Sequence, residues 1–415
     1  MAALVMGAAV TSTPQDVEDV LRRGVRAVYQ PVVDIDREEV VGYEALVRGE
    51  PPLSTPAELF SAAAQHGLQT ELDWVCRTAA FKGALEAGLR PPATLFINAL
   101  PETLGVEPPR DHALLARRAA NDLKIIVEVS EQHLLEDPVA MLDKLEKVRD
   151  LGWGIALDDV GRNPSSIALL TLIRPDVVKI DPLIIQEPLN AATTRFTMAL
   201  RSYARESGAQ LLAEGVETNE HLVRARAIGA RLVQGCRFGW ATELPVDASR
   251  RRTGTVRIPR VPPIGDETPA EVAEATGLRF RPASEAAVRE IANGLADQAA
   301  AARPPGILMS CFQDAEAFTP EMVRRYEQLA ALPAFITAFG RGMPAEPAPN
   351  VRGVDVPADH RLNNEWAVIV ATPSFAGMLV ARPMGNGQFE YTVSDDRSIV
   401  IRAARALARS IVSFG

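Results

Sequence analysis

The chain has 415 residues, an apolar fraction of 47% and a formal charge of −9. That length predicts two or three domains with cores of their own, and the acidic balance, with no basic tract, excludes a surface built for long nucleic acid. Three scattered cysteines, Cys76, Cys236 and Cys311, exclude a disulfide framework, and five histidines without HxxxH or Cys/His spacing argue against zinc.

Met1–Val10 is apolar but short and lacks the basic start of a signal peptide. No run approaches a membrane span, so the expectation is a cytoplasmic protein that does not engage a membrane. Arg26–Val33 and Glu39–Val47 read as strands joined by a turn. Thr55–Pro56 opens a helix to Gln65, and Glu71–Ala87 is a second, with Leu72, Val75, Cys76, Ala79 and Ala80 on one face. Regular alternation follows. Strands are expected at Thr94–Asn98, Ile125–Val129, Gly154–Leu157, Asp176–Ile180, Leu211–Ala213 and Arg231–Val233. Helices are expected near His112–Asp122 and at Ala140–Leu151, Thr194–Glu206 and Asn219–Ile228. Near-continuous apolar strands fit a sheet covered on both sides. Seven or eight such units favour a closed barrel, and no GxGxxG opens a helix, which weighs against a dinucleotide fold.

The expected architecture is α/β: a modified TIM-like β/α barrel over residues 1–248, a linker over 249–275 and a smaller α/β domain over 276–415. The linker is rich in Pro and carries Arg250–Arg251–Arg252, read as a solvated junction. Beyond it, helices are expected at Ala283–Ala301, Pro320–Ala331 and Arg397–Ile411. Strands are expected at Ile307–Phe312, Ala334–Phe339, Trp366–Ala371, Gly377–Ala381 and Phe389–Val393, with Met343–Val351 a mobile loop.

The apolar runs of the first half finish at Glu44, Asn98, Glu128, Asp158–Asp159, Lys179, Glu214 and Gln234. Taken singly, such a residue is most often a helix cap or a solvated loop residue. Together, on strands that close into a barrel, they would converge on one rim. So many carboxylates in a partly buried site repel one another, so either several are protonated or a divalent cation neutralises them, and oxygen-only ligation favours Mg²⁺, Mn²⁺ or Ca²⁺ over zinc. Asp158 and Asp159 can flank two metals, an arrangement suited to attack of water on a phosphodiester. Lys179 can hold that water or offset phosphate charge, or serve as a salt bridge to the carboxylates. Glu214 is a candidate base or ligand, Glu217 can cap the next helix, and Gln234–Gly235 can place an amide on a base or ribose edge.

These words in order resemble the EAL family of cyclic di-GMP phosphodiesterases. The carriers are Tyr29-Gln30-Pro31-Val32-Val33, Glu44-Ala45-Leu46-Val47-Arg48, Ile97-Asn98-Ala99-Leu100, Glu128-Val129-Ser130-Glu131, Asp158-Asp159-Val160-Gly161, Lys179-Ile180-Asp181, Ala213-Glu214-Gly215-Val216-Glu217 and Gln234-Gly235. The resemblance implies hydrolysis of cyclic di-GMP to linear pGpG. It implies two Mg²⁺ or Mn²⁺ ions on Glu44, Asn98, Glu128, Asp158 and Asp159. Lys179 and Glu214 would be catalytic, with Glu131 anchoring the loop after Asp159. Gln30, Leu46, Arg48 and Gln234 would line the substrate groove, Glu217 would support its rim, and the protein would be a homodimer. One departure stands out. Where the family continues with a small residue, Gly, an aromatic and Ser, this chain has Arg162-Asn163-Pro164-Ser165-Ser166, and Val160 replaces Phe. The stiffer loop leaves an alternative open: a weak or inactive member acting as a cyclic di-GMP receptor or interaction module. The C-terminal part resembles the DICT sensory domain in Phe335–Gly340, Trp366–Val370, Phe375–Arg382 and Phe389–Ala408, which implies an unknown ligand or signal that regulates the barrel.

Overall fold

The apolar runs become the eight strands of a closed barrel in a computed structural model that describes residues 13–163, 166–245, 254–259, 261, 265–302, 306–330 and 335–414. After helix α1 (Pro14–Arg23) come β1 (Arg26–Asp34) and β2 (Glu39–Arg48), an antiparallel pair. Then follow α2 (Pro56–His66), α3 (Gln69–Glu86), β3 (Thr94–Asn98), α4 (Arg110–Asp122) and β4 (Lys124–Ser130). The alternation continues through α5 (Glu131–Glu136), α6 (Pro138–Asp150), β5 (Gly154–Val160), α7 (Ser166–Ile173), β6 (Val177–Ile180) and α8 (Pro182–Gln186). Finally α9 (Ala191–Ser207), β7 (Gln210–Ala213), α10 (Asn219–Ile228) and β8 (Leu232–Val233) bring the chain back to β1. Strands β2 to β8 run parallel, and β1 is antiparallel to both neighbours. The barrel is therefore the modified form.

Side chains alternate along a strand, so one parity faces the barrel axis. Val32, Val41, Phe96, Ile126, Ala156, Val177, Leu212 and Leu232 form a fully buried apolar layer inside it. Two positions further along, β3 to β8 turn from this layer to Asn98, Glu128, Asp158, Lys179, Glu214 and Gln234. The dry layer and the polar rim are thus consecutive turns of one period-two pattern. On β2 the rim residue is Glu44, but the strand runs four residues past it to Arg48.

The segment read as a linker is in part a plug. Val256 is fully buried in the apolar layer, with Ile258 packed beside it. Gly254 N–H donates to Val40 O at 3.1 Å, Arg257 N–H to Gln210 Oε1 at 2.6 Å, and Lys124 Nζ to Val256 O. Here the chain closes the barrel floor, opposite the polar rim. Met1–Val10, Arg250–Arg252, Pro164 and Ser165 lie outside the described residues.

The C-terminal domain contains α11 (Pro269–Ala275), β9 (Arg281–Ser284), α12 (Glu285–Ala301), β10 (Ile307–Asp314), α13 (Pro320–Ala330), β11 (Phe335–Arg341) and β12 (Arg352–Asp355). It ends with β13 (Trp366–Ala371), β14 (Ala376–Gly385), β15 (Gln388–Ser394) and α14 (Arg397–Phe414). The seven strands form one sheet in the order β12-β11-β10-β13-β14-β15-β9. Helix α11 falls inside the expected linker, and β9 takes the start of the expected helix at Ala283. Met343–Val351 is tied down, since Met343, Ala348 and Val351 are buried in the core. No helix among the described residues is long and apolar enough to cross a membrane.

Helix α14 joins the two halves. It packs on β13 and β14 of its own sheet and on α6 and α7 of the barrel. Ala403, Ala404, Leu407, Ala408 and Ile411 share one apolar cluster with Leu142, Leu145, Ile167 and Leu170. Within this contact Arg405 Nη2 meets Glu146 Oε1 at 2.7 Å, and Arg149 meets the same oxygen at 2.9 Å. Arg149 also donates to the carbonyls of Ile173 and Arg174 at the end of α7, both at 2.8 Å.

Val256→Ala should destabilise the chain by about 2 kcal/mol, because it removes a fully buried branched side chain and leaves a void at the barrel floor. Urea unfolding followed by circular dichroism reads the change. A midpoint equal to that of the wild type would show that the plug contributes nothing.

Candidate active site

The rim residues meet at the mouth of the barrel. Lys179, 1% exposed, is at the centre. Its Nζ lies 2.9 Å from Glu128 Oε1, 3.0 Å from Glu214 Oε1, 3.1 Å from Asp158 Oδ1 and 3.5 Å from Glu44 Oε2. Glu44 is held from its other side by amides. Gln234 Nε2 donates to Glu44 Oε2 at 2.6 Å and to Gln30 Oε1 at 3.0 Å, and Asn98 Nδ2 lies 3.4 Å from Glu44 Oε1. Gln30 Nε2 in turn donates to Gly239 O. Gly235 has φ +155° and sits so close to Val216 that a Cβ would lie 2.2 Å from its carbonyl oxygen, so glycine is required there.

Adjacent strand residues point to opposite faces, so Asp158 and Asp159 reach one cluster only if the alternation breaks. It breaks at a register irregularity between Leu157 and Val160, where Asp159 has φ +58°. That left-handed conformation is uncommon outside glycine but tolerated by Asp. Glu131, at the start of α5, then pins the loop: its two oxygens accept from Gly161 N–H at 3.1 Å and Asn163 N–H at 3.0 Å.

Four carboxylates around one ammonium, with Asp159 beside them, cannot all stay ionised in a buried site. Burial works against the charges of Glu44 and Asp158, yet Lys179 beside them holds both below the usual carboxylate range. Glu128 goes the other way, pushed well up by burial and by neighbouring Glu44. Burial raises Glu214 to about 8 despite Lys179. Asp159 is raised by burial and by Asp158. Burial opposes the Lys179 charge as well, but its carboxylate neighbours drive it well above the ordinary lysine range.

This donor set fits a divalent cation. Oxygens of Asp158, Asp159 and Glu214, one from each, lie within 4.8 Å of one another. Glu128 Oε2 is buried and accepts no hydrogen bond from the described residues. All of these are hard oxygen donors. A cleft of about 560 Å³ opens over Glu128, Asp158, Asp159 and Arg162, and an adjoining one of about 460 Å³ is lined by Leu46, Arg48, Phe60 and Asn98. A separate cleft of about 680 Å³ between β1 and α3 holds none of the cluster.

Residues 15–239 match the family model of the EAL domain. The chain belongs to the EAL domain family. Residues 269–383 match the DICT domain, described as a sensory domain in diguanylate cyclases and two-component system. That match begins inside the expected linker, at the start of α11. Among similar proteins, an uncharacterized signaling protein of Caulobacter vibrioides is 31% identical over 227 residues, 53% of this chain and 27% of that protein. The cyclic di-GMP phosphodiesterase RocR of Pseudomonas aeruginosa is 28% identical over 222 residues, 51% of this chain and 56% of that one. The chain thus spans between about a quarter and just over half the length of these relatives. A solved structure of BlrP1 from Klebsiella pneumoniae, a manganese and cyclic di-GMP complex, is 25% identical with a TM-score of 0.47, covering 56% of this chain and 57% of that one.

Within the EAL barrel, the expected residues divide by place. Glu44, Asn98, Glu128, Asp158, Asp159, Lys179, Glu214, Gln30 and Gln234 meet at the mouth, with Glu131 one bond away through the loop. Leu46 and Arg48 line the neighbouring cleft, where Arg48 Nη1 donates to Val47 O at 2.8 Å. Glu217 is exposed at the approach to α10, and its backbone N–H donates to His221 Nδ1 at 3.3 Å. Two residues at this rim escaped the sequence reading. Asp73 and Arg77 of α3 form a buried pair at 2.9 Å, and Asp73 also accepts from Leu100 N–H and Thr103 Oγ1, anchoring the loop after Asn98. Their sign was an acid and a base at i,i+4 beside the apolar face of α3.

A sign follows for pH dependence. Glu214 ionises near 4.5 in an unfolded chain and at about 8 in the EAL barrel. The folded state therefore holds an extra proton between these values, and stability falls as pH rises through that window. Asp176, raised by burial to about 6, and Glu365, raised by burial to about 7, act in the same direction. Metal-stripped protein should lose thermal stability from about pH 5 to about pH 8. Ligation needs ionised carboxylates, so Mn²⁺ should raise the melting temperature more at the upper end than at the lower. Thermal unfolding in EDTA and in Mn²⁺ measures both, and a stripped chain that gains stability over this range would contradict the assignment.

Proposed function

We propose that the chain is a metal-dependent cyclic di-GMP phosphodiesterase that releases linear pGpG, with the DICT domain setting its rate. The observation that carries this reading is the ring of carboxylates around Lys179, open on a cleft and closed below by apolar side chains. In this reading Glu44, Asn98, Glu128, Asp158 and Asp159 hold two Mg²⁺ or Mn²⁺ ions, with Glu214 in reach of Asp158 and Asp159. Ions bound there would offset charge on the phosphodiester and make water acidic enough to attack it at neutral pH.

The chain's own groups have separate tasks. Lys179 positions the attacking water and balances the growing negative charge on phosphorus-bound oxygen. Glu214, whose carboxyl burial raises in the metal-free barrel, would be returned to its charged form by ions at the mouth and is then placed to accept a proton from that water. Glu131 holds the loop that fixes Asp159. Gln30 and Gln234 orient Glu44, and the clefts at Leu46 and Arg48 receive the rest of the dinucleotide.

Control by the DICT domain is supported by α14, which lies on α6 and α7. Helix α7 follows directly on the loop that carries Asp159, and Arg149 ties its end to the Glu146–Arg405 pair. A homodimer belongs to the same reading; α14 already covers part of α6 and α7, so pairing would use other barrel surface.

Incubation of the full chain with cyclic di-GMP and Mg²⁺ or Mn²⁺ should yield pGpG by chromatography. Glu44→Ala should lower the rate by roughly a hundredfold or more, because it removes one buried ligand and leaves Lys179 and Gln234 misplaced. Arg405→Met, remote from the mouth, should shift kcat while leaving the ligand set intact. Absence of product with either ion would contradict the enzymatic reading. The receptor reading has one observation of its own, the pairing of Arg162 with Asp159, and it predicts binding of cyclic di-GMP without turnover.

A further inference from the structure

Arg162 begins the stretch in which this chain departs from the EAL pattern. Its Nε donates to Asp181 Oδ2 at 2.5 Å, and its Nη2 lies 3.1 Å from Asp159 Oδ1. Asp181 is 1% exposed, and its other oxygen accepts from Leu183 N–H at 2.8 Å at the start of α8. It is a fixed post, and it holds the guanidinium against Asp159. The Arg162 side chain is 40% exposed and lines the same cleft as Asp158, Asp159 and Glu128.

We propose that Arg162 is a built-in competitor for the divalent ion at Asp159, a positioning residue that sets how tightly this chain holds that ion. The proposal rests on the metal-dependent reading above. Two effects act in the same direction. A carboxylate oxygen engaged by a guanidinium has to give up that partner, or share its lone pairs, before it can ligate. A fixed positive charge a few ångströms away also repels an arriving cation. Arginine keeps its charge at every working pH, so the competition is permanent and is relieved only by movement of the side chain. The half-exposed guanidinium has room to swing into the cleft or toward solvent while the main chain stays held by Glu131. Metal affinity is then tuned by a residue that is not a ligand.

The test is Mn²⁺ binding to the metal-stripped full chain, followed by the electron paramagnetic resonance signal of free Mn²⁺ at one pH and ionic strength. Arg162→Gln and Arg162→Met should each tighten binding by roughly three- to tenfold. Arg162→Lys, which keeps the charge, should remain within about twofold of the wild type. Near-ultraviolet circular dichroism identifies the variants that are folded, and having two neutral variants guards against loss of one. Equal affinity in the wild type and the neutral variants would overturn the proposal and leave the metal-dependent reading standing. Tightening in the lysine variant as well would also overturn it, because charge would not be the cause. Failure of every form to bind Mn²⁺ would overturn both.

Discussion

A lysine ammonium buried among four carboxylates is the interaction around which this barrel is built. Each charge taken out of water costs several kcal/mol unless a partner recovers it. Lys179 recovers it for several groups at once, standing within 3.5 Å of Glu44, Glu128, Asp158 and Glu214. One positive charge is too few for the five acids at the mouth, and the shortfall shows in which of them keep a proton. Glu44 and Asp158 are held ionised, whereas Glu128 and Glu214 are pushed up. The cluster is thereby left short of cations, which is the condition a divalent ion satisfies. The dry layer beneath, ending in Val256, keeps water from relieving the shortage from below.

The loop after Asp159 concentrates the structural tension. It leaves the strand through a left-handed residue, is caught by both oxygens of Glu131, and carries Arg162 to Asp181. Helix α7 follows, is buried along its length and lies under α14. The C-terminal domain is therefore docked, through α14, on the element next to the most constrained part of the site. The contact includes the small apolar side chains Ala403, Ala404 and Ala408, with ionic links from Arg405 to Glu146 and from Arg397 to Glu206 of α9. Such a surface lets helices approach closely and shift by small steps, which is how packed helices move against one another.

Much of this was readable because it is local and periodic. Runs such as Val177-Val178-Lys179 and Leu211–Glu214 carry both the burial of a strand and its polar exit, so strand identity and rim chemistry came from the same few letters. The eight-word order then pointed to the EAL family, and the residue matches and the closed barrel agree. What escaped depended on partners far away in sequence. Val256 sits among Pro and Arg, and composition alone gives a linker, because the apolar layer it fills is built by eight other segments. Helices α7 and α8 are too short for a helical period to emerge. Helix α14 was found, but which second surface it covers is decided by the barrel and not by its own residues. Asp73 and Arg77 hide for a related reason, since each pays for the other's burial only once α3 is packed.

The central claim is that the carboxylates at the barrel mouth form a cage for paired divalent ions. The most direct measurement is anomalous diffraction at the manganese edge from crystals of the full chain grown with Mn²⁺. Two peaks a few ångströms apart, in contact with Asp158 and shared among Glu44, Glu128, Asp159 and Glu214, are the predicted result. A mouth without anomalous density at saturating Mn²⁺, with the same carboxylates still gathered on Lys179 alone, would contradict it.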